Sequence, residues 1–180
     1  MKLNRNIIAG FVSGYITLAI DALSLFVGYY FLAGFIYGIV FLYFNKGNHH
    51  LNTLKQVIFV IASGLIYIGA FQICQYNAGK FHFSKWLMFL IGGAIGALLL
   101  TLSSMLIFKK QIGILSIIFI SALGGVLAIE FAFIKYDPEG FNYNLFGFLF
   151  AFPLWQSVTM YFLAKHFIYE VEKLKQVVSS

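Results

Sequence analysis

Polar residues are spread so unevenly along the chain that they divide it into a few long apolar runs. Four of them, Leu54–Tyr76, Trp86–Phe108, Ile112–Ile134 and Leu145–Phe167, are each 23 residues long. A helix rising 1.5 Å per residue needs about 20 apolar residues to cross a hydrocarbon core about 30 Å thick. These runs meet that length. They lack the strict alternation over about 10 residues that marks the strands of a membrane barrel.

The first apolar run, Ile7–Phe44, is 38 residues long and carries a single charge, Asp21. As one straight helix it would extend roughly 57 Å, far beyond the hydrocarbon thickness. Two spans joined by a tight turn fit better, with the turn falling between Ala19 and Gly28. Asp21 then serves as a turn or capping residue at a membrane surface, where a carboxylate is cheap. The pattern therefore predicts an all-α protein: a six-helix transmembrane bundle with spans at about 7–20, 23–44, 54–76, 86–108, 112–134 and 145–167. Residues 1–168 form the membrane domain, and residues 169–180 form a helical cytoplasmic tail. From the last residue of the membrane domain into that tail, Ile168, Val171, Leu174 and Val178 recur at helical spacing between charges, which suits a solvated helix end or a helix on the membrane surface.

Composition agrees with lipid as the solvent. The chain is 61% hydrophobic and 10% charged, with mean hydropathy +0.90, against about 25% charged residues in soluble domains. Its net charge of +6 would suggest nucleic acid in a soluble protein, but the basic residues flank the apolar runs. With six spans, Lys2, Arg5, Lys46, Lys55, Lys109, Lys110, Lys165, Lys173 and Lys175 fall on one side, and Lys80, Lys85 and Lys135 on the other. Five spans would split the same residues five against seven. The strong bias of the six-span layout follows the positive-inside rule and puts both termini on the cytoplasmic side. Lys2 and Arg5 ahead of an apolar stretch also suit a signal peptide, but more membrane sequence follows, so the stretch reads as a retained first helix.

Small residues mark where helices approach. Gly93, Ala97, Thr101 and Ser104 share one face of the fourth span, and Ser121, Gly125, Ala128 and Ala132 share one face of the fifth. Only Lys109-Lys110-Gln111 separates these spans, so Gly93, Ala97, Ser121 and Gly125 are read as the packing seam of a hairpin. Gly10 and Gly14, and Gly34 and Gly38, repeat the same spacing in the first two spans.

Five polar side chains inside the runs are candidates for a binding site: Asp21, Gln72, Gln75, Glu130 and Gln156. Ionisable groups at membrane depth point to function, and together these five would line an outward-opening polar pocket. The bland alternative is ordinary interhelical hydrogen bonding, worth about 0.6 kcal/mol per contact. Pro153 would kink the last span beside Gln156. No cofactor, metal or catalytic cluster is indicated. Cys74 is alone, His49 and His50 are adjacent on a loop and chelate poorly, and no phosphate-binding glycine loop occurs. The expected partners are the bilayer itself and, for a subunit, other membrane subunits or an energy-coupling protein, with no nucleic acid. The reading is a membrane-located permease, or the substrate-binding subunit of a transporter. Its alternative is a non-catalytic assembly subunit of a membrane complex.

Overall fold

The computed structural model describes residues 2–23, 30–46, 49, 51–80, 84–129 and 145–169. Among them it contains six helices and no strand. These are α1 (Lys2–Leu23), α2 (Tyr30–Phe44), α3 (Thr53–Lys80), α4 (Lys85–Phe108), α5 (Ile114–Ala128) and α6 (Leu145–Ala164). A π-helical turn, Lys165–Tyr169, extends α6. Two helical segments, Thr53–Cys74 and Lys85–Phe108, are long and apolar enough to cross a membrane.

The helix ends depart from the hydropathy pattern at α1. This helix begins at Lys2, five residues before the apolar run, and continues through Asp21 to Leu23. Tertiary contacts fix its polar start. The Asn45 amide donates to the Asn6 side-chain oxygen at 2.7 Å, with both residues fully buried. The Arg5 guanidinium lies 5.7 Å above the Phe44 ring, a cation–π geometry. At the other end Asp21 is flanked by Leu18, Ala19, Ala22 and Leu23, good helix formers that carry the helix past one aspartate.

α1 lies between α6 and α2. From α2 the packing passes in chain order to α3, α4 and α5, and α5 closes back onto α6. The closest approaches occur at glycines. A Cβ on Gly10 would stand 2.1 Å from the Ser157 Cα, and one on Gly14 would stand 2.3 Å from the Pro153 Cα. Between α2 and α3, a Cβ on Gly34 would meet the Ser63 carbonyl oxygen at 2.4 Å. Between α4 and α5, a Cβ on Gly93 would meet the Ala128 Cβ at 2.2 Å, and one on Gly125 the Leu90 carbonyl oxygen at 2.6 Å. Ala97 is buried in the same contact, whereas Ser121 is only partly buried and bonds to its own helix at Ile117.

Along α4 and α5 many large apolar side chains face outward while small ones face the neighbouring helices. Leu106 and Leu115 are each 79% exposed. The buried residues of α4 are mostly small: Gly92, Gly93, Gly96, Ala97, Thr101 and Ser104 lie among them. Toward one end of the bundle Phe41, Phe59, Phe108 and Phe167 form an aromatic core, with successive ring centroids 5.4, 5.7 and 5.7 Å apart. The Lys110 ammonium donates to the Phe167 carbonyl in the π turn, tying the α4–α5 connection to the end of α6.

Candidate functional site

Buried hydroxyls fall into two groups. In the first, each donates to a carbonyl of its own helix: Thr17 to Ser13, Ser63 to Phe59, Thr101 to Ala97, Ser104 to Leu100 and Ser157 to Pro153. This back-bonding satisfies their donors locally.

The second group is not satisfied within the protein. The Tyr37 and Tyr67 hydroxyls, the Ser13 hydroxyl and both amide atoms of Gln156 are buried without a hydrogen-bond partner. Three of these residues gather at one place, about midway along their helices. Tyr37 comes from α2, Tyr67 from α3 and Gln156 from α6. The Tyr37 ring lies 6.0 Å from Tyr67 and 6.5 Å from Trp155, and Tyr67 meets Trp155 edge-on at 5.1 Å. The Tyr67 hydroxyl faces the Gln156 amide and the Tyr37 hydroxyl faces Thr159, close enough to interact electrostatically but outside hydrogen-bond geometry. An unpartnered buried polar group costs about 1–3 kcal/mol, so the cluster carries an energetic debt that ordinary folding would remove. Trp155 differs: its indole N–H donates to the Gly124 carbonyl at 2.9 Å, which pins the ring.

Local sequence explains how Gln156 is presented. Pro153 has no N–H to donate within α6, and Gly10 and Gly14 let α1 close onto the segment from Pro153 to Ser157. The Gln156 backbone is therefore packed directly against α1.

On the far side of Tyr67 and Trp155 lies a half-open cavity of about 70 Å³ with apolar walls, between α3, α4, α5 and α6. Cys74, Phe89, Gly92 and Gly96 form much of it. Cys74 is buried, and its sulfur lies 3.6 Å from the Met88 carbonyl oxygen. Among the described residues no three His, Cys, Asp or Glu side chains come together as a metal-binding group would.

The five residues singled out by sequence are placed as follows. Gln156 is fully buried in the cluster. Gln72 is exposed on the outside of α3 and does not join it. Asp21 lies in the last turn of α1, on the helix face of Gly10 and Gly14. Eleven residues separate it from Gly10, about 16 Å along the helix axis. The side chains of Asp21 and Gln75, and the whole of Glu130, lie outside the described residues. Tyr37, Tyr67 and Trp155 were missed, because hydropathy counts them with the apolar residues. Their depth was a usable signal: membrane tyrosines and tryptophans favour the interfaces, and these three sit near the middle of their runs.

Comparison of the chain with protein-family models, with curated proteins and with solved structures found no match.

Proposed function

We propose that this chain is a small integral membrane protein of six spans that binds a solute within its helix bundle, as a permease or as the membrane-embedded substrate-binding subunit of a transporter. The single observation that carries this reading is the convergence of the Tyr37 and Tyr67 hydroxyls and the Gln156 amide, buried and unpartnered, on one point between three helices. Polar groups kept unsatisfied at a cost of kilocalories are what a binding site leaves for its ligand. Three further features support the membrane setting. Hydropathy is high along six stretches, basic residues are asymmetric about them, and α4 meets α5 through small residues while Leu106 and Leu115 stand exposed, as helices pack in lipid. The apolar cavity lies toward the C-terminal half of α3 and the N-terminal half of α4, the end that the charge bias places outside the cell. A solute would enter from that side.

The experiment is retention of solutes by the purified protein. Protein in mild detergent is incubated with a metabolite mixture, washed, and its bound solutes are released and identified by mass spectrometry. The wild type is expected to retain a small set of compounds, and Gln156→Leu to retain them at least about tenfold less, the equivalent of one good hydrogen-bond pair. If wild type and Gln156→Leu are indistinguishable while a stoichiometric protein partner co-purifies with both, the chain is an assembly subunit instead.

A further inference from the structure

We infer that the Tyr37–Tyr67–Gln156 cluster is a seat for an uncharged ligand bearing an amide-like donor and acceptor, reached from the apolar cavity past the Tyr67 ring. The inference rests on the solute-binding reading above and names the class of solute.

Charge is the first argument. The fully buried polar side chains among the described residues are Asn, Ser, Thr and Gln only, with no Asp, Glu, Lys, Arg or His. Asp21, on α1, stands about 16 Å along the helix from Gly10. Gly10 is the α1 residue that abuts the Gln156 backbone. An ion entering this seat would lose its hydration and find no counter-charge among the described residues, which buried charges require. A neutral ligand loses far less.

Hydrogen-bond chemistry is the second. The Gln156 side chain offers one acceptor oxygen and one donor NH₂ group, and both are unused. A ligand edge that presents a donor beside an acceptor satisfies both at once. The Tyr67 and Tyr37 hydroxyls, each able to donate or accept, can take a third and a fourth bond. Shape is the last argument. The walls are the rings of Tyr37, Tyr67 and Trp155, with centroids 5.1–6.5 Å apart. Rings so closely set touch one another, so a ligand group enters only once Tyr67 turns aside.

Tyr67 is the gate. Its ring lines the apolar cavity and is partly exposed there, while its hydroxyl faces Gln156. Trp155, the other residue common to both sides, is held by its bond to Gly124. Turning Tyr67 therefore joins the cavity to the seat, and Trp155 stays as the fixed wall.

Three probes of similar size and one ring separate the possibilities: benzamide, which is neutral, benzoate, an anion, and benzylammonium, a cation. The protein has two tryptophans, and Trp86 is half-exposed on α4, away from the site. In Trp86→Phe protein the emission of Trp155 alone reports binding, with thermal stabilisation as a second readout. Benzamide is expected to bind in the millimolar range, as befits a fragment. Benzoate and benzylammonium should bind at least about tenfold more weakly. Gln156→Leu should weaken benzamide about tenfold, and Tyr67→Phe, which keeps the ring and so spares the fold, severalfold. The inference is overturned if either charged probe binds as well as benzamide, if both substitutions leave benzamide affinity unchanged, or if benzamide does not bind. In those cases retention of charged or other solutes, absent from Gln156→Leu, would still uphold the solute-binding reading, and retention of none would end both.

Discussion

Gly10→Leu is expected to destabilise the bundle by more than about 3 kcal/mol, above the usual range for overpacked sites. The Cβ alone would stand 2.1 Å from the Ser157 Cα and 2.4 Å from the Ser157 nitrogen. Non-bonded carbons need about 3.5–4.0 Å, so α1 and α6 would have to separate by about 1.5 Å before the rest of the leucine is placed. The obstructing atoms are backbone, and no rotamer change relieves them. Gly14 repeats the contact one turn further along, against Pro153, so a local bend of α1 would transfer the clash instead of removing it. The midpoint of unfolding in mixed detergent micelles measures the effect. Gly69→Leu is the matched control: nothing stands within 4 Å of a Cβ there, and its change should stay within about 0.5 kcal/mol. Equal behaviour of the two variants would show that α1 and α6 are not in backbone contact at Gly10.

Gly125→Leu should cost a similar amount through the other seam. Its Cβ would meet the Leu90 carbonyl oxygen at 2.6 Å and the Ala94 Cβ at 3.1 Å. Neighbouring Gly124 faces the Ala97 Cβ, which would lie 2.4 Å from an added Cβ. Lipid tails are as apolar as the side chains themselves, so close packing of this kind is what keeps two helices together in a membrane. Forcing α5 away from α4 also moves the Gly124 carbonyl that accepts from the Trp155 indole. Unfolding should therefore shift together with a change in Trp155 emission, read in Trp86→Phe protein. Gly113→Leu, at the open start of α5 with nothing within 4 Å, should change neither quantity.

The six helical stretches were legible because apolar runs and their breaks are written directly in the chain. The helix ends were not. Asn6 and Arg5 belong to α1 because of what they touch at the end of α2 and just beyond it, and residues 39 positions apart in sequence supply that information only once folded. Gln156 stood out as a glutamine inside an apolar run. Gln72 was selected by depth alone, and depth does not fix the helix face. At 100° per residue it lies about 140° around α3 from Tyr67, whereas Cys74 lies within about 20° of Tyr67. Cys74 and Tyr67 accordingly share the cavity wall while Gln72 is exposed. The tyrosines of the cluster were invisible for a different reason. A tyrosine ring is apolar enough to sit in a span, and whether its hydroxyl is satisfied depends on neighbours from other helices.

The layout of the chain across the bilayer is the claim on which the binding site and its direction of entry depend. Cys74 is the only cysteine. In a Cys74→Ala background, Lys2→Cys and Ser180→Cys place one reactive thiol at each end of the chain. Labelling with a membrane-impermeant maleimide in sealed right-side-out and inside-out vesicles then reads the side of each. Six spans with cytoplasmic termini require both thiols to react in inside-out vesicles and neither in right-side-out ones. Thiols reacting on opposite faces would contradict the six-span bundle, and with it an inward path to Gln156 from the outer side.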